Sequence, residues 1–136
     1  MKSLGTLIKL KQRELDEKRR ALVQLEEELE RLLAEEKKLR DELAREAQLA
    51  AAQPEIARYF GEFSKGNEKK QNHVREKQAT MRALIEAQRE AITAAFADLK
   101  QMEIAKQKMD DEEAADANRK ETAQLDEIGL RNFVQD

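Results

Sequence analysis

Residues 15–43 read LDEKRRALVQLEEELERLLAEEKKLRDEL, and leucine returns in them on a seven-residue repeat at Leu15, Leu22, Leu29 and Leu43, with a second set at Leu25, Leu32 and Leu39. Taking the first set as heptad position a and the second as d extends the stripe back to Ile8 and Leu4, the spacing that holds apolar residues against a partner helix. The stripe stops at Gln53-Pro54, because proline disfavours helical geometry in the residue before it. A second stripe follows, with Val74, Met81, Ala95, Met102 and Met109 interleaved with Ile85, Ile92 and Leu99, and with Leu84 and Phe96 widening it. Two long helices with one break between them predict an all-α fold, an antiparallel two-helix coiled-coil hairpin with a longer second helix.

Composition agrees. Of 136 residues 40% are charged and 4% aromatic, with four glycines and one proline, which is too little bulk for a deep core. The charges belong to solvated helix faces. Acid stands four residues before base at Glu14/Lys18, Asp16/Arg20, Glu27/Arg31, Glu36/Arg40 and Asp41/Arg45, an orientation worth roughly 0.2–0.5 kcal/mol per pair in an isolated helix. A net charge of −3 gives the chain as a whole no pull toward nucleic acid or anionic lipid. Locally the balance shifts: Lys65, Lys69, Lys70, Arg75, Lys77 and Arg82 are basic, while Asp110, Asp111, Glu112, Glu113 and Asp116 form an acidic run.

Along the chain, helix one is expected over about 3–52, capped by the hydroxyl of Ser3 or Thr6, and at ~1.5 Å per residue it is roughly 70 Å long. A tip over about 53–67 is expected to hold a short helix after Pro54, with Ile56, Tyr59, Phe60 and Phe63 on one face. A second break follows at Ser64-Lys65-Gly66-Asn67, where glycine suits a left-handed cap and asparagine an N-cap. Helix two is expected over about 68–128 and a tail over 129–136. Antiparallel pairing around such a tip makes facing position numbers add to about 119, so that Leu39 lies near Thr80 and Met81, Leu22 near Phe96 and Ala97, and Leu4 near Ala115. Residues beyond Asp116 then overhang. Lys11 and Lys18 at d, and Lys106, Glu113 and Asp116 on the facing stripe, give the open end a polar seam, either snorkelling to water or kept for register and partner choice. Leu125, Ile128, Leu130, Phe133 and Val134 return apolar character with nothing left to cover them, the mark of an association surface.

Catalytic chemistry is missing. The sole histidine, His73, has only scattered carboxylates as companions, and Gly61 and Gly66 lack the Lys-Ser/Thr of a phosphate loop. Met81, Met102 and Met109 read as packing residues. Glu14, Asp16 and Glu17 interrupt Lys9 to Arg20 and spoil it as a DNA-binding basic region. No catalytic, metal or cofactor-binding residue is expected, and no cofactor. Cysteine is absent, which suits a reducing cytoplasm, no stretch approaches the ~20 apolar residues of a membrane span, and Met1 to Lys9 is too short an apolar run for a secretory signal.

Three segments resemble a known family. The opening Leu7-Ile8-Lys9-Leu10-Lys11 with Glu14-Leu15-Asp16-Glu17-Lys18, the tip segment Phe60-Gly61-Glu62-Phe63, and Asn118-Arg119 followed by Leu125-Asp126-Glu127-Ile128 are similar to FliJ-type proteins of the flagellar type III export apparatus. The resemblance implies a fold like the terminal helices of a rotary-ATPase central stalk and a non-enzymatic role. Its implied partners are a hexameric export ATPase, whose assembly it promotes, a membrane export-gate protein, and export chaperones that it escorts. Its implied place is the cytoplasm, at the inner face of the cell membrane. Under that resemblance Leu4, Leu7, Arg119, Leu125, Asp126, Glu127 and Ile128 are the expected ATPase-ring contact, and Leu39, Phe60 and Phe63 the export-gate contact. Asn67, Lys70 and Glu46 stand where that gate surface calls for apolar or aromatic residues. The isolated chain is then expected to be a monomer. A self-associating structural coiled coil is the competing expectation, since leucine seams alone do not fix oligomeric state.

Overall fold

The computed structural model describes residues 3–135, with side chains through Val134. Two helices pack as an antiparallel coiled-coil hairpin, α1 over Leu4–Ala52 and the longer α2 over Pro54–Gln135. The described residues divide into two compact units, 3–14 with 94–135, and Leu15–Thr93. No helix among the described residues is long and apolar enough to cross a membrane.

Ser3 starts α1: its hydroxyl accepts the Thr6 N–H at 3.2 Å, and its carbonyl accepts those of Thr6 and Leu7. One residue makes the turn. The Gln53 N–H closes α1 on the Leu49 carbonyl at 2.9 Å, while its own carbonyl accepts the Ile56 and Ala57 N–H groups that open α2. Pro54 takes the first helical position, where its missing N–H costs nothing and its fixed φ fits.

The second break predicted at residues 64–67 does not occur. α2 runs unbroken from Pro54, so the expected tip of 53–67 and the expected start near residue 68 give way to one helix, and no glycine among the described residues adopts positive φ. Gly66 is an ordinary helical residue, and Asn67 is buried in the seam instead of capping a terminus. The helical penalty of one glycine, about 1 kcal/mol, is small against a seam that continues on both sides of it. At the far end the helix passes residue 128 and Gly129 and takes in most of the expected tail; residue 136 lies outside the described residues.

Moving the turn to Gln53 moves the register. In unit 15–93 the Asn67 carboxamide donates to the Leu39 carbonyl at 2.8 Å, Gln78 to that of Leu32 at 3.2 Å, and Gln88 to that of Lys18 at 2.9 Å. In the other unit, a methyl placed on Gly5 would stand 3.4 Å from Lys106 Cε. Facing position numbers therefore add to between 106 and 111, not to about 119. Leu39 faces Asn67 in place of Thr80 and Met81, and the start of α1 faces Lys106 in place of Ala115.

The seam holds Leu15, Leu32, Val74 and Ile85 in one unit, and Ile8 and Leu99 in the other. Leu84 and Phe96 do not widen it; both are exposed, and Phe96 instead carries the Lys100 ammonium 5.3 Å above its ring. Of the expected acid–base pairs, Glu36–Arg40 forms at 3.2 Å; Lys11, Arg19 and Arg31 choose acids three residues earlier or later, at Glu14, Asp16 and Glu28. These pairs are surface features of small energetic weight.

A helical Gly66 makes a prediction that a capping Gly66 would reverse. A Cβ there meets nothing within 4 Å, so Gly66→Ala should raise unfolding free energy by about 0.5–1 kcal/mol. Urea denaturation measures it; a loss of stability would restore the break.

Candidate association site

Two apolar features are exposed in the unit that holds the start of α1 and the end of α2. The first is a groove of about 780 Å³ at the start of α1, lined by Leu4, Leu7, Leu10 and Met109 and rimmed by Lys9 and Arg13. Leu7 and Leu10 face outward because they lie off the a/d stripe carried by Leu4, Ile8 and Lys11. The second is the end of α2. Every side chain from Gln107 to Val134 is exposed, although the helix continues through all of them. The overhang thus begins some ten residues before the predicted Asp116, as the shifted register requires.

On that free helix the same three-and-four spacing that carries the seam through Leu99, Met102 and Lys106 continues to Met109, Glu113, Asp116, Lys120, Ala123, Glu127, Leu130 and Val134. Leu125 and Ile128 lie off this line and are 61% and 51% exposed. Arg119 pairs with Asp116, and Arg131 with Glu127 at 2.8 Å, both within the helix. Lys11 and Lys106 reach out of the seam to Glu14 and Asp110, the snorkelling geometry.

The seven residues of the expected ring contact all fall in this unit, in two separate places. Leu4 and Leu7 line the groove, whereas Arg119, Leu125, Asp126, Glu127 and Ile128 stand on the free helix, roughly 15–28 Å beyond Met109 at the helical rise. Met109, read from the sequence as a packing residue, is half exposed and joins the groove.

In unit 15–93 a smaller groove of about 390 Å³ is lined by Ile56, Tyr59, Phe60, Phe63, Glu46 and Glu55. Phe60 and Phe63 of the expected gate contact are therefore together, and Tyr59, the most exposed of the three aromatics, belongs with them. Leu39 is not part of this groove; it lies half-buried in the seam, its carbonyl held by Asn67.

That hydrogen bond begins a polar chain that pattern reading missed. Gln71 donates to Asn67 Oδ1 at 2.6 Å, Arg75 donates to Gln71 Oε1 at 3.1 Å and to Glu36 Oε2 at 3.1 Å, and Arg40 closes on the same carboxylate. Carboxamides at seam positions give up apolar contact for hydrogen bonds to backbone carbonyls that every heptad offers, and the link in this chain that depends on register is the side-chain pair of Arg75 with Glu36. No buried side-chain nitrogen or oxygen lacks a partner among the described residues. His73 is exposed, and the described residues hold no cluster of three potential metal ligands.

No family model, no curated protein and no solved structure matches this chain.

Proposed function

We propose that the chain is a non-catalytic structural coiled coil whose hairpin holds out a free helix for association, as a self-associating scaffold does. The observation that carries this reading is the exposure of every side chain over residues 107–134, with Leu125, Ile128, Leu130, Phe133 and Val134 among them. A long helix that buries nothing in its own chain is marginal without a partner, because helices draw most of their stability from packing. If the segment exists for association, the hairpin does not need it. Deleting residues 110–136, which spares Met109 and the groove, should leave the thermal unfolding midpoint within about 3 °C of the full chain at low concentration, since no contact with α1 is lost. A large fall would mean that the segment packs on its own body, and the reading would fail.

A second, more specific reading is favoured by where the family-like residues lie. Arg119 and Leu125 to Ile128, which carry the resemblance to FliJ-type proteins, all stand on the exposed helix. On this reading the chain is a stalk of the flagellar export apparatus, working in the cytoplasm at the inner face of the membrane. It would join a hexameric export ATPase to the export gate and escort export chaperones. The same deletion separates the two readings: mixed with the purified ATPase, the full chain should raise ATP turnover and the truncated chain should not. Equal turnover with and without the full chain removes the stalk reading and leaves the scaffold.

A further inference from the structure

We propose that residues 109–134 of two copies pair with each other as an antiparallel two-fold coiled coil, and that this pairing seats Val134 of each copy at the mouth of the other's apolar groove. The inference rests on the scaffold reading and names the occupant of its free helix.

Continuity of the seam is the first argument. The stripe that α1 covers on α2 runs on in the same heptad register past the point where α1 begins, so its natural cover is another antiparallel helix. Residues 107–135 do not fold back to supply one, for α2 is unbroken to Gln135. A second copy related by a two-fold axis between Glu121 and Thr122 can, and a two-fold interface demands that the segment be complementary to itself.

The segment meets that demand. Antiparallel coiled coils layer a against d, as the hairpin does. Applied to the free helix, the rule sets Met109 opposite Val134 of the second copy, Glu113 opposite Leu130, Asp116 opposite Glu127, and Lys120 opposite Ala123. The flanking positions then bring Arg119 beside Asp126 and Asp110 beside Arg131, each twice by symmetry, so four attractive pairs border the seam and no like-charge pair does. Asp116 and Glu127 repel within one layer, with Lys120 in the adjacent layer to offset them. This polar centre weakens the dimer and fixes its register, while apolar contact is kept at both ends.

The ends are where the second feature enters. Met109 lines the groove with Leu4, Leu7 and Leu10, so a Val134 layered on Met109 arrives at that opening, followed by Phe133, which is 80% exposed in the single chain. The groove and the free apolar end, about 38 Å apart along one helix, thereby cover each other between copies.

Sedimentation velocity on the full chain, from about 1 µM to several hundred µM, tests the pairing. A reversible monomer–dimer equilibrium is expected. Arg119→Asp and Asp126→Arg should each weaken it by about tenfold or more, and the double variant should return to within about threefold of the original, because the charges are exchanged, not removed. All four residues of the flanking pairs are exposed and lie outside the hairpin seam, so the thermal unfolding midpoint of the hairpin at about 1 µM should be unchanged in every variant. A chain that stays monomeric throughout overturns the second copy as occupant. A dimer whose single-variant losses add in the double variant overturns this register. A chain that stays monomeric also takes self-association out of the scaffold reading, whereas the free helix itself stands or falls on the truncation experiment, so the two failures are distinguished.

Discussion

Replacing Leu32 with alanine should lower the unfolding free energy by about 2–3 kcal/mol, while the same change at Leu33 should move it by less than about 0.5 kcal/mol. The two leucines are neighbours of identical chemistry, and only the heptad separates them: Leu32 is 5% exposed on the seam and Leu33 is 40% exposed beside it. Truncation at Leu32 removes transfer free energy and opens a void against α2, where the Gln78 carboxamide bonds the Leu32 carbonyl and holds the backbones in place. The loss should sit at the low end of the usual leucine-to-alanine range, because no large side chain in this two-helix seam is more than 98% buried among the described residues. Urea titration gives both values, and an unchanged denaturant slope shows that the folded state is the same. Equal losses at the two positions would mean that α1 is packed on some other face.

How much of this was legible in advance depended on what each residue type announces. Leucine in a charged helix has one reason to recur on a seven-residue period, so the seam of α1, its direction and the stop at Pro54 could be read directly. Gly66-Asn67 carries a local signal for a break, and local signals yield when the seam continues through them. That one override carried the rest with it: the turn shrank to Gln53, the register moved by more than a heptad, and the overhang began at Gln107 instead of beyond Asp116. The seam carboxamides, three of them buried and Gln88 half-buried, were opaque for a different reason. Asn67, Gln71, Gln78 and Gln88 look like surface residues by type, and their only sequence signal is position, each falling on the three-and-four continuation of Val74, Met81 and Ile85. For the candidate site, the uncovered Leu125 to Val134 was readable because apolar residues returned where the partner helix had run out. The groove was not, since Leu7 and Leu10 become a site only when Met109 is placed beside them.

The largest contrast expected anywhere in the chain is in backbone amide exchange along α2. Residues 74–99 lie in a helix whose seam side chains are buried against α1, so their amides should exchange only through opening that breaks the seam. Residues 110–134 have the same helical hydrogen bonds with every side chain exposed; a lone helix opens by local fraying, with little cooperative cost. At seam positions such as Val74 and Ile85, protection should therefore approach the free energy of global unfolding. Protection should fall by orders of magnitude across Lys106 to Asp110, within about two helical turns. Everything else about the chain hangs on this boundary: the register and the overhang, and with them the proposed association surface, follow from where α1 stops covering α2. Hydrogen–deuterium exchange of the full chain, followed residue by residue at about 1 µM where the free segments stay apart, tests it most directly: the prediction is slow exchange up to Lys106 and fast exchange from Asp110 to Val134. Slow exchange persisting through Leu130 at that dilution would contradict it.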